Sequence, residues 1–325
     1  MPTLASLKIR PQRNQIEDYQ HLTDLWNACE PDYLTTVEET RFDIENLAPS
    51  RAARIFFAEL GGKVVGQVGF SCKHSKLEPH KFWLSLRVHP QYRNRGIGTE
   101  LYAFAQTELR ELRPEKLSCT VRASRPYALR FAQRCGFVEE ARYWESRLDL
   151  STFDPSPYGE LEAKLDALGV TLHPLSDLRE TTPDYRERIF DLDWTCTQDE
   201  PMPDPPLKPE LEPWLKRHFE HPNFTPEAYL IAVDGNEWIG LSELSRSQDG
   251  DGLLYNGFTA TLRGYRGKGV ATALKVKNIL WAMQNGYKEI RTSNNSLNGP
   301  MLAVNTKLGF KRQPAEIGLK KVMHD

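Results

Sequence analysis

The sequence predicts an α/β chain of two tandem domains, each a mixed, mostly antiparallel sheet with flanking helices. Three observations carry that expectation: a length of 325 residues, a motif set that recurs at an offset of 173, and a switch from strand period to helical period around each recurrent glycine turn. Single cores seldom reach this length, so two domains of roughly 150 residues are expected.

The N-terminal domain is expected over residues 1–150, a linker with a connecting helix over 151–168, and the C-terminal domain over 169–325. Leu7-Lys-Ile-Arg-Pro11 opens the first copy and is echoed by Val170-Thr-Leu-His-Pro174. Ala58-Glu-Leu-Gly-Gly-Lys-Val-Val-Gly66 then matches Ala232-Val-Asp-Gly-Asn-Glu-Trp-Ile-Gly240, and both read as hairpins. The offset is 163 at the first pair and 174 at the second, so about eleven residues are extra in the second copy. Asp199 to Pro213 accommodates them: its six prolines oppose helix and central strand and predict a loop over the open face of the C-terminal domain.

Phe82, Leu84, Leu86 and Val88 alternate with polar or large neighbours, as in a strand, whereas Leu101, Phe104, Leu109 and Leu112 follow helical spacing. Ala273, Val276, Leu280 and Met283 repeat the helical pattern in the second copy. Strands at Lys116–Val121 and Lys288–Thr292 follow, then a short helix ending at Cys135-Gly136-Phe137 or Leu308-Gly309-Phe310. Between the copies, Ser151 to Gly159 has linker composition, and Glu160 to Leu168 reads as a short helix closed by Gly169.

Composition narrows the class. A hydrophobic share of 39%, a charged share of 26% and a net charge of −2 fit a soluble, cytoplasmic globular protein and argue against nucleic acid as partner. No apolar run approaches the roughly 18 residues of a membrane span, and the first residues lack a signal-peptide pattern. The five cysteines are scattered without a Cys-x-x-Cys pair, so neither a disulfide framework nor a metal site is expected.

The chemistry is concentrated in the glycine turns. Arg93-Asn-Arg-Gly96-Ile-Gly98 and Arg266-Gly-Lys-Gly269-Val-Ala271 each lie 40 residues, glycine to glycine, before Gly-Phe. A glycine-rich strand-to-helix turn exposes backbone amides at a helix N-terminus, where dipole and amides favour a diphosphate. Arg93, Arg95, Arg266 and Lys268 add positive charge. A Rossmann fingerprint needs Gly or Ala where Leu101 and Thr272 stand, and neither turn supplies the Gly-Lys-Ser/Thr of a Walker loop.

Both halves resemble the GNAT superfamily of acyl-CoA N-acyltransferases, whose signature is Arg/Gln-x-x-Gly-x-Gly/Ala, and the second half resembles its tandem members of the mycothiol synthase type. The latter likeness lies in Thr292-Ser-Asn294-x-x-x-Asn298-x-x-Met301-x-x-x-Asn305-x-x-Leu308-Gly-Phe. The resemblance implies splayed central strands, pantetheine between them, and acetyl-CoA as co-substrate with no metal. It places the carrier on Leu86, Val88, Arg93, Asn94, Arg95, Gly96, Ile97, Gly98 and Thr99 in the first domain. In the second it implies Thr259, Thr261, Arg266, Gly267, Lys268, Gly269, Val270, Ala271, Thr272, Asn294 and Asn298. Amides near Val88 and Thr261 take the role that polarises the thioester, and Arg125 is the first-domain equivalent of Asn298.

The family's glutamate base is replaced by Phe82 and Tyr255, and its tyrosine acid by Ala132 and Asn305. Substitutes are expected only in the second half: Glu243 as base and Tyr255 as proton carrier or pocket wall, with Asp199, Glu200 and Asp204 available to attract a cationic amine. His74, His80 and His89 lack a partner that would make one a base. The expected activity is N-acetylation of a primary amine, on a small molecule or peptide, by the C-terminal domain of a monomer. The alternative is a CoA-binding scaffold without catalysis.

Overall fold

The structure, a computed structural model, describes residues 6–47, 53–74, 78–247 and 252–323. The first half of the chain builds β1 (Lys8–Pro11), α1 (Ile16–Cys29), α2 (Val37–Glu45), β2 (Arg54–Leu60), β3 (Lys63–His74), β4 (Glu78–Val88), α3 (Ile97–Arg110), β5 (Lys116–Arg122), α4 (Pro126–Arg134) and β6 (Val138–Asp149). After α5 (Leu161–Asp166), which Gly169 closes at φ +75°, come β7 (Val170–Pro174), α6 (Leu175–Thr181), α7 (Tyr185–Thr197) and α8 (Leu211–Phe219). The chain continues through β8 (Tyr229–Asp234), β9 (Glu237–Arg246), β10 (Leu253–Thr261), α9 (Val270–Gln284), β11 (Glu289–Asn295), α10 (Gly299–Lys307), β12 (Lys311–Arg312) and β13 (Glu316–Val322). Of the six prolines in the extra segment, Pro213 falls in the first turn of α8, where its missing N–H has no acceptor to lose.

Two compact units result, and their borders differ from those of the repeat. The first runs to Glu140 and takes up the chain again from Ile317, and the second is Ala141–Glu316. In the first unit the strand order is β1-β2-β3-β4-β5-β13; in the second it is β6-β11-β10-β9-β8-β7, with β12 also on β6. By the repeat offset, β6 and the segment of β12 and β13 are equivalent. Each copy's closing strand therefore completes the sheet of the other unit. The border expected at 150 lies at 140 because alternation identifies a strand without naming its partner.

From β1 to β4 in the first unit, and from β7 to β10 and at β6–β11 in the second, neighbouring strands are antiparallel, whereas the central pairs β4–β5 and β10–β11 are parallel. The long helix after each glycine turn anchors the sheet. α3 buries Ile97, Leu101, Ala105 and Leu109 at a four-residue spacing, and they pack with Val65, Val68, Leu117 and, from β13, Ile317 and Leu319. In the second unit α9 packs Ala273 and Leu274 against Ile239, and Val276 and Ile279 against Leu244 and Leu254. Met283, read from the sequence as part of that stripe, is 37% exposed. Among the described residues no helix is long and apolar enough to cross a membrane.

Candidate active site

Each glycine turn joins the parallel pair's first strand to the long helix through one 3-10 turn, Pro90–Tyr92 or Arg263–Tyr265. His89 opens the first of these turns, its Nδ1 accepting from the Gln91 amide at 3.3 Å. Gly96 and Gly269 cap the helices in left-handed conformation, at φ 83° and 88°. Asn94 and Gly267, two residues earlier, also have positive φ, at 60° and 74°. A side chain at either cap is strained. The amides of Thr99 and Glu100 return to the Gly96 carbonyl at 2.9 and 3.1 Å, leaving those of Ile97 and Gly98 without a helical acceptor. In the second unit the Ala273 amide returns to Gly269 at 2.9 Å, and Val270, Ala271 and Thr272 open the helix. A Cβ at Gly267 meets nothing within 4 Å, so the turn faces open space. These orphan amides suit a diphosphate.

Next to each turn the sheet opens. β4 and β5 are paired only from Lys81↔Lys116 to Trp83↔Ser118, and β10 and β11 only from Leu253↔Glu289 to Asn256↔Thr292. The strands continue unpaired with each other to Val88 and Arg122, and to Thr261 and Asn295. The amide of His89 donates to the Val65 carbonyl at 2.9 Å and that of Leu262 to Ile239 at 2.8 Å, both away from the gap. Amide direction alternates along a strand, so Val88 and Thr261 present theirs to the gap, as do Leu86 and Thr259 two residues back. Arg93 Nε donates to the Val88 carbonyl at 3.1 Å, and Arg266 Nε to the Thr261 carbonyl at 3.4 Å. The turn's arginine thus satisfies the strand-end carbonyl and leaves the neighbouring amide available. Arg95 and Lys268 lie over Tyr92 and Tyr265, at 5.2 and 5.0 Å from the ring centres.

The two gaps have different chemistry. In the second unit the β9–β10 register shifts between Asn256 and Thr259, a bulge with no counterpart at Trp83–Leu86 of β4. The carboxylate of Glu243 sits on that bulge. Its Oε1 accepts from the Phe258 amide at 3.2 Å and lies where a Cβ at Gly257 would stand, 2.5 Å away. Burial, and secondarily the nearby Asp193 carboxylate, push Glu243 up to about 7. Asp193, on α7, is itself pushed up to about 6 by burial. Tyr255 lies opposite Ser245, on the same sheet face as Glu243 and diagonal to it. The opposite face carries a buried polar cluster in which Lys275 donates to Asn256 Oδ1 and Asn278 donates to Ser242 Oγ at 3.2 Å. Burial lowers the Lys275 amine to about 7.

A family model described as acetyltransferase (GNAT) family matches residues 19–137 and again 186–310. The chain belongs to that family. Mycothiol acetyltransferase of Actinosynnema mirum is 24% identical over 234 residues, which are 71% of this chain and 72% of that protein. Among solved structures, a tandem GNAT protein from the clavulanic acid biosynthesis pathway has a TM-score of 0.76 at 20% identity, covering 98% of this chain and all of its own. A GCN5-related N-acetyltransferase from Sphaerobacter thermophilus gives 0.70 at 18% identity, with 99% and 98% covered. The tandem GNAT fold and the general chemistry of acyl transfer follow.

Within the GNAT frame the remaining sequence candidates divide. Asn298 caps α10, its Oδ1 accepting from the Met301 amide at 3.3 Å. Asn294 accepts from Asn305 Nδ2 at 2.7 Å, and Asn305, at the tyrosine-acid position, is 2% exposed, so its amide is held against β11. Asp199, read from sequence as a lure for a cationic amine, instead binds Arg263 and Arg266; Arg266 Nη2 is 2.5 Å away. These hydrogen bonds, Arg263's first, hold its carboxyl far below the usual range. The sequence reading missed Asp193. It falls four residues after buried Ile189 and three before buried Cys196, on the apolar stripe of α7, and that position was the available signal. Among the described residues no cluster suited to a metal ion occurs.

Proposed function

We propose that the protein transfers an acetyl group from acetyl-CoA to a primary amine of a small molecule or peptide, with the second unit as the catalytic one. The observation that carries this reading is the Glu243 carboxylate, fixed on the β10 bulge beside the gap with its proton affinity near neutrality. A base at about 7 is half ionised at neutral pH and matches the proton it must take from an attacking ammonium or amine.

In this reading the Val270, Ala271 and Thr272 amides receive the diphosphate, and the strand edge at Thr259 and Thr261 receives the pantetheine. Thioester carbon and amine nitrogen form the new bond while the Thr261 amide stabilises the oxyanion. Glu243 removes the amine proton, the C–S bond breaks, and CoA departs as a thiolate. Thiols ionise far more readily than amines, so departure needs no dedicated acid where Asn305 replaces the family's tyrosine. Tyr255 shapes the acceptor side. The first unit holds CoA without turnover, since Phe82 and Ala132 occupy its base and acid positions. We further propose a monomer working in the cytoplasm with neither nucleic acid nor membrane as partner.

Release of free thiol from acetyl-CoA, followed across a panel of primary amines, tests the reading. Amine-dependent release that is lost in Glu243→Gln supports it. CoA binding with no release for any amine makes the protein a carrier-binding scaffold instead.

A further inference from the structure

Beside the first unit's gap, one guanidinium, that of Arg87, is used neither by an ion pair of the fold nor by the proposed acetyl transfer. Arg122 at the end of β5 and Arg125 at the start of α4 both bind Glu30, which follows α1, while Arg87, near the end of β4, reaches Trp26 of that helix. Arg122 Nε is 3.2 Å from Glu30, and Arg125 binds the same carboxylate. Arg87 stacks on Trp26 at 4.2 Å, yet it makes no hydrogen bond or ion pair with any described residue. At the equivalent positions the second unit has Ala260, Asn295 and Asn298, none of them charged. Leaving a half-buried guanidinium without an acceptor is unfavourable unless something else supplies one.

We propose that the first unit's gap is an oxyanion subsite and that its ligand is a CoA thioester whose acyl chain ends in a carboxylate. The proposal rests on the reading that this unit binds CoA. With the thioester at the Val88 amide, a short acyl chain extends past the adjacent Arg87 toward Arg122 and Arg125. A guanidinium engages a carboxylate through two parallel N–H donors, which a methyl-terminated acetyl group cannot accept.

Calorimetric titration of the full chain with acetyl-CoA and with malonyl-CoA, which differ by one carboxylate, tests this. Malonyl-CoA is expected to bind one site roughly tenfold more tightly, the effect of one good charge-assisted pair. In Arg87→Gln that preference disappears while the affinity for acetyl-CoA stays within about twofold, which also reports that the unit remains folded. Equal affinities in the unaltered protein, or a preference that survives in Arg87→Gln, overturn the proposal and leave the CoA reading standing. Failure of both thioesters to bind overturns both.

Discussion

The two units share a turn and differ in what surrounds it. Both cap a long helix with a left-handed glycine, open a parallel strand pair after three or four residue pairs, and return an arginine to the strand-end carbonyl. Only in the second does the strand before the turn bulge at the gap, with a buried carboxylate upon the bulge and a second carboxylate nearby, whereas the first sets arginines around Glu30 at the ends of its parallel pair. Both units therefore keep the same glycine turn with its exposed amides, while the side chains around the gap differ. Carrier binding depends on backbone geometry, which few substitutions disturb, whereas catalysis depends on individual side chains.

The largest expected effect comes from breaking the turns one at a time. Gly269→Val places a β-branched residue at φ 88° and removes the close approach of a diphosphate, so acetyl transfer should fall at least about a hundredfold. Gly96→Val does the same to the first unit and should leave most of the turnover intact. Equal losses in the two variants would erase the division of labour.

Glu243→Gln should lower kcat by about 10² to 10³ with little change in KM for acetyl-CoA. In the unaltered protein kcat should rise with pH through about 7, and this limb should vanish in the variant. Stability moves the opposite way. The folded Glu243 holds its proton more tightly than the unfolded one, so its favourable contribution is present at acid pH and is lost as pH rises through about 7. At pH 8 the glutamine variant should accordingly be more stable, by on the order of 1–3 kcal/mol in denaturant titration.

Exchange of the closing strands gives a structural comparison. Leu319 is 1% exposed in the first unit's core although it lies at the far end of the sequence. Leu319→Ala should destabilise the first unit by about 2–4 kcal/mol, with hydrogen exchange accelerated in β5 and α3 rather than in β10 and α9. The smallest effect is expected from Asp199→Asn. Removing a carboxylate that lies against Arg266 should tighten CoA binding to the second unit by about two- to fivefold at low salt, and the gain should fade as ionic strength rises.

The turns, their helices and the position of Glu243 were legible because each is written in local pattern: glycine spacing, a change of period, a lone carboxylate on an apolar strand. Strand partners were not, since the local pattern of β6 and β13 marks each as a strand without naming the sheet it closes. The long-range pairing of Asp199 with Arg263 and Arg266 was equally hidden, because a charge in a proline-rich segment carries no mark of the cation it will meet. Arg87, Arg122 and Arg125 are scattered over 39 residues and meet Trp26 or Glu30, in and just after α1, only once that helix and the parallel pair are assembled.

The central claim is that two equivalent turns each hold the same carrier. Isothermal titration of the unaltered protein with CoA, repeated on Gly96→Val and Gly269→Val, measures it most directly. The account predicts two sites, each variant losing one. Undetectable binding in the unaltered protein, or loss of both sites from a single glycine substitution that leaves the fold intact, contradicts it.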